Sequence, residues 1–231
     1  DGDGRNTAIP YSERTNAKAR LRTYPVVERN GLVMAWYHPH GTAPMWEVPE
    51  VEALGHPDFS EPYTRHFEIA APWQETAENG VDAAHFRYVH RTADVPVLES
   101  YETDGYRSAM RSKQFFVTPR GTTEGRIDTD THGPGFSVVR FSGIVDTVLV
   151  GCATPVEEDC IELRFTFTVR RFADDRVTES VGGAFVEEVS RQLLEDKPIW
   201  ENKVFVESPA LADSDGPFIA FRKWASQFYV E

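Results

Sequence analysis

Between Glu78 and His90 the chain places a carboxamide, two carboxylates and two imidazoles within 13 residues: Glu78-Asn79-Gly80-Val81-Asp82-Ala83-Ala84-His85-Phe86-Arg87-Tyr88-Val89-His90. Imidazole nitrogen and carboxylate oxygen are ligands under which a ferrous ion keeps positions open for oxygen. His85 and His90 supply the nitrogen part of such a set, and an anionic ligand has to arrive from elsewhere. No His-Glu-x-x-His sequence occurs, which argues against a zinc protease of that type.

These residues need an element to carry them. Pro72 stands where a helix begins at little cost, and the helix it predicts runs to about Val89. Gly80 inside it costs about 1 kcal/mol relative to alanine, a weakness that a purely structural helix has no reason to carry. On a straight helix His85 and His90 differ by about 140°, so they meet one ion only if the helix ends or distorts between Phe86 and His90.

The surrounding chain reads as strands followed by a long helix. Two segments, Lys18–Val27 and Leu32–Tyr37, flank Asn30-Gly31, a strong hairpin signal. Residues 38–61 read as a loop and 63–70 as a strand. From Tyr101 to Phe172 the period becomes two, with runs at 101–118, 121–129, 136–142, 144–151 and Cys160–Arg170. In the last of these Ile161, Leu163, Phe165, Phe167 and Val169 share one face. A helix near Thr178–Lys203 then presents Phe185, Val189, Leu193 and Trp200 to the sheet, with Pro198 expected to interrupt it. A block of strands followed by a long helix implies an α+β layer fold, a curved antiparallel sheet closed over by that helix.

Composition narrows the function. The chain has 231 residues and a net charge of -13 with dispersed basic residues, so a nucleic-acid partner is not expected. There is no phosphate-binding glycine loop and no apolar run of the ~20 residues that span a membrane. Cys152 and Cys160 read most simply as separate thiols in a reducing, cytoplasmic setting, with a hairpin disulfide the alternative.

The pattern Glu78-Asn79-x-x-Asp82-x-x-His85-x-x-x-x-His90 resembles the mononuclear-iron motif of the large subunit of Rieske non-heme iron oxygenases. Asp196-Lys197-Pro198-Ile199-Trp200-Glu201-Asn202-Lys203, Asp215-Gly216-Pro217 and Phe221–Tyr229 are similar to the 3-ketosteroid 9α-hydroxylase oxygenase and cholesterol 7-desaturase branch. The resemblance implies Fe(II) held by His85, His90 and Asp196. Glu195 is the competing carboxylate, and it points about 100° away on the helix.

By the same resemblance Asp82 bridges the iron-bound histidine and a cluster-ligand histidine of a neighbouring subunit, accepting the second N–H of His85. Asn79 is a polar neighbour positioning ligands or water. Glu78 either supports the site or lies on the helix surface. Lys197 and Glu201 read as solvated, and Trp200 as packing against the sheet.

The implied fold is a helix-grip (START/Bet v1-like) catalytic domain over residues 46–231, preceded at 1–45 by the end of a Rieske-like all-β domain and a linker. The Cys-x-His and Cys-x-x-His pairs of a [2Fe-2S] Rieske cluster are absent from the chain, and would precede Asp1. The implied activity is hydroxylation of a steroid or sterol-like substrate with O2. Electrons would come from a ferredoxin/reductase donor, in a homotrimer. Alternatives are a sterol desaturase of the same family and a non-catalytic lipid-binding helix-grip module. Phe136, Val138, Val145, Leu149, Leu163, Phe165 and Phe167 are candidates to line an apolar cavity, with Thr147 as a polar contact.

Overall fold

A computed structural model describes residues 1–118 and 121–230, which divide into two units, Asp1–Glu50 and Val51–Glu231. In the first unit, β1 (Val26–Arg29) and β2 (Leu32–Ala35) pair antiparallel, Arg29 opposite Leu32. Asn30 and Gly31 both take positive φ, 58° and 70°, the backbone of the tight hairpin turn that Asn-Gly favours. The strands are shorter than the apolar segments suggest. Residues 18–25 form no strand: Arg20 makes an isolated bridge to Arg5, and the Pro25 carbonyl accepts the Trp36 N–H at 2.8 Å.

The second unit is built on a seven-stranded antiparallel sheet: β3 (Tyr63–Ile69), β4 (Val97–Asp104), β5 (Arg107–Thr118), β6 (Gly121–His132), β7 (Phe136–Ser142), β8 (Thr147–Glu157) and β9 (Cys160–Val169). Their order is β3-β9-β8-β7-β6-β5-β4. Between β3 and β4 lie α1 (Trp73–Ala77), a 3-10 turn (Glu78–Val81) and α2 (Ala84–Tyr88), and after β9 come α3 (Asp175–Trp200) and α4 (Phe218–Ala225).

The α+β class and antiparallel sheet stand, but the curved helix-grip (START/Bet v1-like) form does not. The sheet is open, with β3 and β4 as opposite edges that do not pair with each other. Closure would need these two strands to exchange hydrogen bonds. The segment joining them forms helices instead, and Val81 there packs with Tyr101 of β4 and with Phe221, Trp224 and Ala225 of α4. In the first unit the described residues hold one two-stranded sheet.

Alternation on β9 is as the sequence implies, but from Thr166 to Val169 both faces are covered, while Glu162 stays exposed. Phe167 is fully buried against Leu149 and Val186, while Thr168 on the other face is also buried and donates to the Ser60 carbonyl at 2.8 Å. Asp174 caps α3 by accepting the Arg176 N–H at 2.8 Å, and Gly182 lets α3 approach β9, since a Cβ there would sit 3.2 Å from Val169. Pro198 does not interrupt α3, which continues through it to Trp200. It falls in the last turn, so the helix ends before a further turn is lost. Among the described residues no helix is long and apolar enough to cross a membrane.

Candidate metal centre

The helix predicted from Pro72 to Val89 is broken where the site needs it broken. Asp82 leaves helical conformation (φ -92°, ψ 90°), and its Oδ1 accepts the N–H groups of Ala84 and His85 at 3.0 and 3.2 Å, restarting the chain as α2. That helix ends at Tyr88, before His90, and Arg91 turns away with φ 59°. With the intervening turn no longer helical, the 140° separation of a straight helix disappears. His85 and His90 come together, ring centroids 5.0 Å apart, with Phe86 packed against both.

Asp196 of α3 completes the group. His85, His90 and Asp196 are all buried, and each offers a ligand atom within 4.8 Å of the others. The geometry around the rings suits a metal. His85 Nδ1 meets the main-chain carbonyl of Asp82, and His90 Nδ1 lies 3.1 Å from Glu195 Oε2. Each partner holds a proton on Nδ1 and leaves Nε2 as the ligating nitrogen, the usual way a protein orients a metal-binding imidazole. His90 Nε2 is 3.3 Å from Asp196 Oδ2. The Asn79 amide donates to Asp196 Oδ2 at 3.1 Å and approaches His85 Nε2 at 3.3 Å. Two imidazoles and a carboxylate converging in this way form the donor set for a mononuclear Fe(II).

Electrostatics divides the two histidines. Burial pulls His85 below its ordinary pKa, although Asp196 and the Asp82 carbonyl act the other way. Burial also acts to lower His90, but hydrogen bonds to Asp196 and Glu195 outweigh it and raise the pKa. The carboxylates of Asp196 and Glu195 therefore favour positive charge beside His90, while burial opposes it at His85.

Several neighbours differ from their expected places. The group accepting from His85 is the Asp82 carbonyl, while the Asp82 carboxylate caps α2. Glu195 does not compete for the metal position but faces the outer nitrogen of His90 and is held by Arg191. Glu78 is neither surface nor a direct neighbour of the histidines. It is 1% exposed and bonds Arg222 Nε and Lys203 Nζ, each at 2.5 Å. Burial would raise its pKa, yet the two cations hold it below the usual carboxylate range. Lys197 and Glu201, read as solvated, reach β3 and the residue after it: Lys197 donates to the Glu68 carbonyl at 2.8 Å, and Glu201 accepts the Ala70 N–H at 3.0 Å. Gly216, in the loop after α3, runs so close to Val81 that a Cβ would sit 1.6 Å from its carbonyl oxygen.

The three ligand candidates open onto a cavity of about 260 Å³ between sheet and helices. Of the residues anticipated from sequence, Phe136, Leu149, Leu163 and Phe165 line it, whereas Val138, Val145 and Phe167 do not. Thr147 is buried and donates to the Val145 carbonyl rather than to the cavity. Trp200 lines the cavity as well as packing against the sheet. Sequence reasoning missed Met110, Ile127, Thr129, Thr131, Ser137 and Gln192 on its walls. Period-two alternation does place Ile127, Thr129 and Thr131 on one face, but only the sheet order shows which face is covered. Cys152 and Cys160 are free thiols.

Comparison with known proteins agrees with this arrangement. Residues 35–229 match the family described as 3-ketosteroid 9alpha-hydroxylase C-terminal domain. A probable 3-ketosteroid-9-alpha-monooxygenase oxygenase component from Rhodococcus rhodochrous is 29% identical over all of this chain and 62% of its own length. Cholesterol 7-desaturase from Caenorhabditis elegans is 29% identical over 99% of this chain and 59% of its own. The chain thus spans about three fifths of the relatives it matches. The crystal structure of dicamba monooxygenase bound to dicamba superposes with a TM-score of 0.76 at 18% identity, covering 99% of this chain and 76% of that one, a likeness of fold. With the match spanning most of its length and the His/His/Asp set in place, the chain belongs to the 3-ketosteroid 9alpha-hydroxylase C-terminal domain family, a catalytic domain of the Rieske-type non-heme iron oxygenases.

Proposed function

We propose that this chain is the catalytic portion of the oxygenase component of a Rieske-type monooxygenase that hydroxylates a steroid-like hydrophobic substrate with O2. His85, His90 and Asp196 hold the iron. The observation that carries this reading is their convergence, buried, at the wall of a largely apolar cavity. A bound Fe(II) supplies the reductive activation of O2 there.

The chain's own residues do the rest. The Asp82 carbonyl and Glu195 fix the tautomer and direction of the two imidazoles. Asn79 steadies the Asp196 carboxylate by donating to it. Phe86, Leu163, Phe165 and Trp200 exclude water and seat a rigid apolar molecule. Asp82 also serves as the bridge to a neighbouring subunit's cluster in a homotrimer, and residues 1–45 are the remnant of the Rieske domain and its linker. The [2Fe-2S] cluster itself has no ligand pairs in this chain. Electrons come from a ferredoxin/reductase donor, and the free thiols fit a cytoplasmic protein.

A second reading, desaturation of a sterol, has its own support in the equal identity to cholesterol 7-desaturase. Both reactions begin by removing hydrogen from a substrate carbon, so product analysis separates them. A passive lipid carrier has no use for three buried donors aimed at one point. The direct test is metal content: His85→Ala is expected to lose most bound iron while staying folded, and unchanged iron would refute the site. Asp82→Asn is expected to keep iron and fold but to turn over poorly in the complete, reduced oligomer. Full-rate product formation would remove the bridging role.

A further inference from the structure

The cavity wall made by the sheet is not uniformly apolar. Thr129 and Thr131 of β6 lie two residues apart on one face, and Ser137 of β7 is the direct cross-strand partner of Thr131. All three line the cavity and are half-buried. Directly opposed side chains on antiparallel strands stand about 5 Å apart, so the Thr131 and Ser137 hydroxyls can reach one shared atom.

Neither threonine hydroxyl takes part in a hydrogen bond among the described residues, and Ser137 makes only a long contact of 3.5 Å to the Gly151 carbonyl. Gly151 is the next residue across the sheet from Ser137, and a Cβ there would sit 2.8 Å from Ser137 Oγ. The glycine leaves room beside the serine where a side chain would have covered it. The triad of metal-ligand candidates belongs to the helical wall, on α3 and the α2 segment, so the cavity meets a substrate with metal chemistry on one wall and unspent hydroxyls on the other.

We propose that Thr131 and Ser137 form a polar subsite that holds a ketone or hydroxyl oxygen of the substrate, with Thr129 beside it, and thereby choose which carbon faces the His/His/Asp group. The inference rests on the catalytic reading above and adds its specificity: a rigid apolar molecule carrying at least one oxygen, not a bare hydrocarbon. A ketone accepts from both hydroxyls, whereas a hydrocarbon leaves them desolvated and unpaired.

The test is anaerobic binding to the iron-loaded protein of two probes of one shape, androstenedione and androstane, followed through the fluorescence of the cavity residues Trp73 and Trp200. Wild type is expected to prefer androstenedione. Thr131→Val and Ser137→Ala should each weaken androstenedione by roughly 3–10-fold and leave androstane within about twofold. Thr131→Ser, which keeps the hydroxyl, should retain the preference, and androstane binding by each variant reports an intact cavity. Loss of both probes together, or an unchanged preference in the double variant, overturns the subsite. Wild type that binds neither probe overturns the steroid reading, and the subsite with it. Iron-free protein that still discriminates supports the subsite independently of the metal.

Discussion

At the scale of single residues, the site depends on which nitrogen of each imidazole is spoken for. Glu195 makes the point, because adjacency to Asp196 suggests an alternative ligand, whereas its place on the helix sends it to the far side of His90. Removing it leaves His90 free to choose its tautomer and rotate. Glu195→Ala is therefore expected to lower Fe(II) affinity by about 10–100-fold with little change in fold, measured by competition against a chelator. Affinity equal to wild type would show that packing by Phe86 alone orients the ring. His85 and His90 were legible in the sequence because the spacing of the 78–90 segment is specific, and Asp196 through the family resemblance of the segment that carries it. Their supports were not, since a main-chain carbonyl such as that of Asp82 has no signature in residue type.

At the scale of elements, the 3-10 turn carrying Asn79 is tied to the C-terminal part of the chain by Glu78. That carboxylate joins it to Lys203 beyond α3 and to Arg222 of α4. Breaking a buried pair leaves its partners uncompensated, so Glu78→Ala is expected to cost about 3–5 kcal/mol in denaturant unfolding. A loss below about 1 kcal/mol would mean that Lys203 and Arg222 relax into solvent.

A second tie lies on the sheet, where Asp130 of β6 receives Arg107 and Arg111 of β5 and Arg140 of β7 at 2.7–2.8 Å. Burial opposes its charge, yet these arginines hold its pKa at about 2 against an ordinary 3.8. A folded-state pKa below the unfolded one contributes stability that is complete above about pH 4 and is lost as the pH falls towards 2. Because two of the arginines are half-exposed, the contribution is about 1–2 kcal/mol after solvent screening. Asp130→Asn is expected to flatten that part of the acid-unfolding curve, and a curve parallel to wild type would count against the tie.

For the whole molecule, the hairpin, the alternating strands and the long helix were legible because each rests on local spacing. The open sheet was not, because strands cannot report that their two edges stay apart. That outcome is decided by Val81, Tyr101 and Trp224 meeting across more than a hundred residues of sequence. The contact at Gly216 has a consequence of timing. A loop without a side chain presses on Val81, one residue before Asp82 and four before His85, so the ligand segment is shaped by chain made more than a hundred residues after it. The sheet and α3 can form as the protein emerges, but the pocket for iron is finished only when residue 216 arrives. A nascent chain arrested at Lys203 is expected to show the helix and sheet signals yet bind Fe(II) weakly, and Gly216→Ala in the complete protein should reproduce that weakness. Tight binding by both would mean that the ligands set themselves without the tail. Weak binding by both would make iron capture wait for the segment that carries residue 216.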